Sequence, residues 1–263
     1  MKKVLSIFLL FFLIITFNGC EKRSQGLTIV KGVLTVGVEV GYPPMEYYDT
    51  DGITLLGFDI ELTKALAEKL GLEVRYIDTA WEGILAGLDA NRYDIAVNIT
   101  ILPERERRYN FTKPYISSWM TIVTNKNSSF DINIVEDITG LKAAFQGDTT
   151  AQYFAESLNE QGINFTQYSY DKIIYCFEEL RLGRVDFIIV DNIAASYYIE
   201  RENSPFQIAW QGPPHEYIGF CLKKGNDALT TAIDNALDEL YKEGTYEYIY
   251  NRIFNRDLIN GRY

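Results

Sequence analysis

Hydrophobic positions along the chain follow two rhythms that alternate. Val33 to Val38 is a β-branched run that reads as a strand. Phe58 to Leu70 places apolar residues at helical spacing and stops at Gly71, a usual helix-terminating residue. Leu72 to Ile77 reads as a strand, Trp81 to Leu88 as a helix and Tyr93 to Thr100 as a strand. This β-α-β-α-β run predicts a mostly parallel sheet with helices on its faces.

The pattern restarts after Ser117. Trp119 to Thr124 and Leu141 to Phe145 read as strands, and Thr150 to Asn159 as a helix followed by Gly162. A helix over Asp171 to Leu182, a buried strand over Val185 to Val190 and a helix over Ile193 to Arg201 come next. Tyr217 to Leu222 is a further strand, and Asp227 to Tyr241 and Thr245 to Phe254 are amphipathic helices. Two α/β units of similar size emerge, neither with a GxGxxG or P-loop motif. Two such lobes imply a cleft between them, the usual place for a small ligand.

The amino terminus departs from this pattern. Lys2 and Lys3 precede an apolar run from Val4 to Phe17, which ends at Asn18-Gly19-Cys20. The run is short for a membrane span and has the layout of an export signal over residues 1–20. Gly19-Cys20 resembles a bacterial lipobox, with Phe17 where that motif usually has Leu; lipidation of Cys20 is expected. A plain signal peptide or a single anchor helix are the rivals, and all three place the rest of the chain outside the cytoplasm, in the periplasm or on the extracellular face.

Composition narrows the partners. The formal charge of −11 becomes −13 once Lys2 and Lys3 are removed, which argues against nucleic acid and anionic headgroups. One histidine, His215, and no CxxC leave little material for a zinc site or a His-based triad, so neither a metal nor a cofactor is expected. Cys176 and Cys221 lie in apolar periodic segments, where they either pair in an oxidising compartment or stay buried as free thiols.

Five stretches, taken in order, resemble one family, the extracellular solute-binding proteins of polar amino-acid ABC importers. They are Gly41-Tyr42-Pro43-Pro44-Met45-Glu46-Tyr47, Leu56-Gly57-Phe58-Asp59-Ile60-Glu61-Leu62, Trp81-Glu82-Gly83-Ile84, Asn98 to Arg105 followed by Phe111-Thr112-Lys113-Pro114-Tyr115, and Gly244-Thr245-Tyr246 through Phe254. The resemblance spans about Gly32 to Phe254. It implies an α/β protein of two Rossmann-like lobes joined by two crossover strands, the type II periplasmic-binding-protein fold. Lobe one would be 28–117 plus 219–263, and lobe two 118–218.

A free amino acid presents a carboxylate, an ammonium and a variable group. The resemblance assigns Arg105 to the carboxylate, a role for which a guanidinium offers two parallel donors. Thr100 joins it, and the backbone at Asn98 is set against the ammonium, although the family usually has a small residue there. Asp191, ending a buried strand, matches the family's ammonium-binding Asp; a helix N-cap is its rival role. Thr149 in Gly147-Asp148-Thr149-Thr150 resembles the second lobe's anion-binding segment, with an N-cap box as rival. Tyr42 and Trp81 align with aromatics that sandwich the ligand side chain. Glu39 stands where relatives selective for polar or basic amino acids often carry Asp.

The implied partners are a free L-amino acid and an importer permease, with the membrane reached through the lipid and the chain itself monomeric. Two rivals remain. One is an enzyme similar to cyclohexadienyl dehydratases, with Glu39, Glu46 or Glu82 as acid. The other is a sensory domain for a membrane receptor.

Overall fold

The computed structural model describes residues 26–254. The expected export signal and the lipidation at Cys20 lie outside that range.

The first sheet is assembled from β1 (Val33–Val38), a small hairpin of β2 (Tyr47–Tyr48) and β3 (Leu55–Leu56) beside it, α1 (Phe58–Leu70), β4 (Glu73–Asp78), α2 (Ile84–Asp89), β5 (Ile95–Thr100), α3 (Pro103–Glu106), β6 (Tyr109–Phe111) and β7 (Ile116–Ser118). A second follows: β8 (Met120–Asn125), β9 (Lys142–Gln146), α4 (Thr150–Glu160), β10 (Thr166–Tyr170), α5 (Ile173–Arg181), β11 (Phe187–Asp191), α6 (Asn192–Ile199) and β12 (Phe206–Gln211). The chain then returns to the first sheet through β13 (Glu216–Lys223) and ends in α7 (Asp227–Glu243) and α8 (Thr245–Ile253).

Strand order is β4-β1-β5-β13-β6 in one sheet, with β7 also on β13, and β10-β9-β11-β8-β12 in the other. Pairings of β1 with β4 and β5 are parallel, as are those of β9 with β10 and β11. β13 is antiparallel to β5, β6 and β7, and β8 is antiparallel to β11 and β12. Each sheet is therefore parallel but for one reversed strand, and in each case it is the strand delivered from the other lobe. The reason is geometric. The parallel strands of both sheets point their carboxyl ends at the cleft, so a chain that enters a lobe from the cleft must run the other way.

Burial explains why these segments fold as they do. Leu34, Val36 and Val38 of β1 pack with Phe58, Ile60, Leu62 and Leu66 of α1 and with Leu229, Ile233, Leu237 and Leu240 of α7. On the opposite face Ile84 and Leu88 of α2 meet Tyr93, Ala96 and Cys221. The second sheet is likewise covered on both faces, by α4 on one and by α5 with α6 on the other. Gly71 closes α1 in the left-handed region at φ 66°, as a helix-terminating Gly should. The carboxyl-terminal helix docks on the first lobe through Phe58, whose ring lies 5.7 Å from Tyr246 and 5.0 Å from Phe254.

Two expectations are refined. Trp81–Gly83 is a single 3-10 turn ahead of α2 rather than the start of one continuous helix. Cys176 and Cys221 are free and buried in different cores, one in each lobe, so the pairing alternative falls away.

Candidate functional site

Facing strand ends create the site. β1 runs out into Glu39, and the following loop carries Tyr42; β5 ends with Asn98 and Thr100, and the short helix α3 brings back Arg105. From the opposite sheet β9 ends at Gln146, ahead of Thr149 and Thr150 at the start of α4, and β11 ends at Asp191. Beyond the carboxyl ends of strands is where ligands bind in open α/β sheets. A cavity is lined there by Glu39, Tyr42, Trp81, Asn98, Thr100, Arg105, Thr149 and Asp191, together with Ser118, Gln146, Thr150, Glu216 and Ile218. All eight side chains singled out from the sequence thus reach one cavity.

Arg105 is 7% exposed, and its Nη1 donates to the Thr100 carbonyl at 3.1 Å. Among the described residues no carboxylate forms an ion pair with it. A buried guanidinium held by one carbonyl is costly without an anion, and the cavity is where that anion can come from. Thr100, at the end of β5, is buried at its side.

Asp191 answers from the other lobe in two ways. Its Oδ1 accepts from the amides of Ile193 (2.9 Å) and Ala194 (3.0 Å), capping α6, while the Tyr42 hydroxyl donates to Oδ2. The helix cap and the cavity role are therefore compatible, one oxygen for each. Burial pushes its carboxyl above the ordinary range even though these hydrogen bonds favour the charged form. Thr149 occupies the N-cap position of α4, yet its hydroxyl donates to Gln146 O at 2.7 Å rather than closing the helix end.

Glu39 is 5% exposed, and burial raises its carboxyl to about 7. Gln146 Nε2 donates to both of its oxygens, at 2.8 and 2.9 Å, from across the cleft. Lys172 lowers the Glu39 pKa somewhat but spends its own ammonium on the Val40 carbonyl at 3.0 Å. The Trp81 indole N–H donates to Asp148 O at 2.9 Å. These polar contacts draw the lobes together over the cavity.

Asn98 has a left-handed backbone (φ 56°), which Asn tolerates better than most residues. Its N–H leaves the ladder and donates to the Tyr115 hydroxyl at 3.0 Å, opposite a register shift in β13 between Gly219 and Cys221. The departure from a small family residue is thus a departure in side chain with a turned backbone. Of the acids weighed for an enzyme, Glu46 is buried beside Asp59 and outside the cavity lining, and Glu82 is exposed in a neighbouring cleft; Glu39 alone of the three lines the cavity.

Gln146, Ser118, Thr150, Glu216 and Ile218 line the cavity without having been singled out from the sequence. Gln146 was open to the same strand-end argument as Asp191. Ser118 and Glu216 were not, because nothing local says that two crossing strands meet at the back of a cleft.

A model of the bacterial extracellular solute-binding proteins, family 3, matches residues 34–256. The chain belongs to that family. This solute-binding chain is 33% identical over 229 residues to the L-cystine-binding protein TcyJ of Escherichia coli, a match covering 87% of this chain and 85% of that one. It is 34% identical over 245 residues to a probable amino-acid ABC transporter-binding protein of Haemophilus influenzae, covering 92% of each. A solved ancestral arginine-binding protein bound to arginine superposes with a TM-score of 0.81 at 32% identity, over 86% of this chain and 99% of that one. The two-lobed type II periplasmic-binding-protein fold expected from the sequence is the fold of this solute-binding chain.

Proposed function

We propose that this chain captures a free amino acid, basic or polar by preference, between its lobes and delivers it to an ABC importer. One observation carries the reading: a buried guanidinium on the short helix α3 of one lobe, Arg105, and a carboxylate at a strand end of the other, Asp191, line the same cavity. That pair matches the carboxylate and ammonium of a zwitterion. The mechanism is hinge closure. Arg105 and Thr100 hold the amino acid first, Asp191 and Thr149 engage from the other side, and Tyr42 and Trp81 cover the side chain. Lobe one is taken as 28–117 plus 219–263 and lobe two as 118–218, with the crossing strands as hinge.

Glu39 supports the basic or polar preference. It is buried among the lining residues with an amide but, among the described residues, no cation bonded to it, a position that a cationic head group or a side-chain amide would satisfy. The names of relatives, which bind arginine and L-cystine, support the amino-acid class without choosing within it. The reading is of a binding protein, not an enzyme, that works as an exported monomer tethered through a lipid on Cys20 and docking on a permease. Among the described residues no helix is long and apolar enough to cross a membrane.

A thermal-shift screen against the common amino acids and L-cystine tests the reading, because a ligand that binds only the folded state raises its melting temperature. At least one of arginine, lysine, ornithine, histidine, glutamine and cystine is expected to do so. A screen with no shift, confirmed as no heat by calorimetry, would overturn it, and turnover of prephenate or arogenate would replace it with the dehydratase. The anchor is tested separately: labelled palmitate is expected in the wild type and absent from Cys20→Ala.

A further inference from the structure

Resting on the amino-acid reading above, we propose that Glu216 is a second carboxylate for the ligand's ammonium group, carried by the hinge itself. Glu216 is the first residue of β13 and stands in register opposite Ser118, the last residue of β7. These are the two strands by which the chain passes between lobes. Ser118 Oγ donates to Glu216 Oε2 at 3.1 Å, so the acid is tied to the other crossing strand rather than free to swing.

The side chain is 6% exposed and lines the cavity together with Asp191. Among the described residues neither Lys nor Arg forms an ion pair with it. His215, its chain neighbour, points its Nδ1 at the Pro213 carbonyl instead. Burial raises the pKa of Glu216, as does the nearby charge of Asp191, against hydrogen bonds with Thr150 and Ser118 and the proximity of His215, which lower it. Two unpaired acids in one cavity oppose each other until a cation arrives.

An α-ammonium is the cation that any amino acid brings, and it has three N–H donors to place. Asp191 alone cannot answer all three, because two of its four acceptor sites hold the α6 amides and a third the Tyr42 hydroxyl. Glu216 supplies the missing acceptor. Because it lies on the hinge, occupation of the ammonium position is transmitted directly to the strands that must bend for closure. Acylated amino groups, which bring no charge, are rejected at the same point.

Calorimetry of the wild type and Glu216→Gln with L-arginine, L-glutamine and L-cystine tests this. Gln keeps the volume and an acceptor for Ser118, and removes only the charge. Every ligand that the wild type binds is expected to weaken by a similar factor, about tenfold to a hundredfold. Glu39→Gln is expected instead to change the ratio between arginine and glutamine. The melting temperature of ligand-free Glu216→Gln is expected to hold or rise, because the repulsion with Asp191 is relieved. Affinities within twofold of wild type, a loss confined to arginine, or a ligand-free melting temperature that falls with affinity would each overturn the assignment. If Glu216→Gln does not fold, Glu216→Asp withdraws the charge by one methylene and is expected to give the same uniform loss. A wild type that binds none of the three and no other amino acid would defeat the functional reading first, a separate failure.

Discussion

At the residue scale the site is a small set of charges, each buried at a cost that a ligand would offset. Among the described residues Arg105 has only the Thr100 carbonyl to answer its guanidinium. Removing one member of a desolvated charge pair costs about 2–5 kcal/mol, roughly thirty-fold to several thousand-fold in affinity. Arg105→Ala is therefore expected to abolish calorimetric amino-acid binding while leaving circular dichroism unchanged; affinity close to wild type would remove Arg105 from the carboxylate site. Glu39 makes the second prediction at this scale. Its folded-state pKa of about 7 is above its ordinary 4.5, so the folded chain holds a proton that the unfolded chain releases between those values. The ligand-free fold consequently loses stability as pH rises from about 4.5 to 7, by up to about 3 kcal/mol from this group. Glu39→Gln should be more stable than wild type at pH 8 and equal to it at pH 4 in denaturant titrations. A cationic ligand favours the ionised form, so wild-type affinity for arginine should fall below pH 7, by up to roughly tenfold per unit, and binding at pH 6 should release a proton. A flat profile in Glu39→Gln completes the test.

At the element scale, strand ends position the chemistry, and backbone contacts as well as side chains fix the loops beyond them. Phe58 N–H donates to the Pro44 carbonyl and Asp59 N–H to that of Met45, which ties the start of α1 to the loop carrying Tyr42. Gly57 makes that approach possible. It has φ 130°, and a Cβ there would stand 2.0 Å from the Met45 carbonyl oxygen. Gly57→Ala is expected to cost at least about 2–4 kcal/mol, read as a lower denaturant midpoint; an unchanged midpoint would show that the loop is free to move away. Elements with strong periodicity were legible in advance. The spans expected for β1 and α1 are those observed, and the other expected helices and strands deviate by a residue or a few at their ends, while the short α3 was not expected. The short strands β6 and β7 and the edge strands β10 and β12 were not. β10, Thr166–Tyr170, has no fully buried residue, so its sequence lacks the apolar signature of a core strand.

At the scale of the whole molecule, the contacts that close the cleft join residues far apart in the chain, with 107 positions between Glu39 and Gln146 and 149 between Tyr42 and Asp191. Each lobe has its own core, and the lobes meet through polar side chains, two strands and a few apolar contacts, Ile193 of α6 joining the first core and the Tyr47 ring lying 5.9 Å from that of Tyr197. A ligand gripped from both sides stabilises the pair as a unit. At a hundredfold excess over its dissociation constant the gain is about 2.7 kcal/mol, which for a chain of this length raises the melting temperature by about 5–10 °C. A cognate amino acid that shifted only one of two resolved unfolding transitions would mean that it engages a single lobe.

Sequence by itself determined what depends on local burial and local chemistry: the alternation of strands and helices, the helix stops at glycine, the strand-end positions of Glu39, Thr100 and Asp191, and the family that the ordered motifs point to. Tertiary structure alone decided which strand ends face one another. It set one strand of each sheet running backwards, put Cys176 and Cys221 in separate cores, and brought Gln146, Ser118 and Glu216 into the cavity. The physical reason is that periodicity records which side of an element is buried, but not what it is buried against. That second fact is settled by where the chain crosses between lobes, and the residues at the crossing carry no pattern of their own.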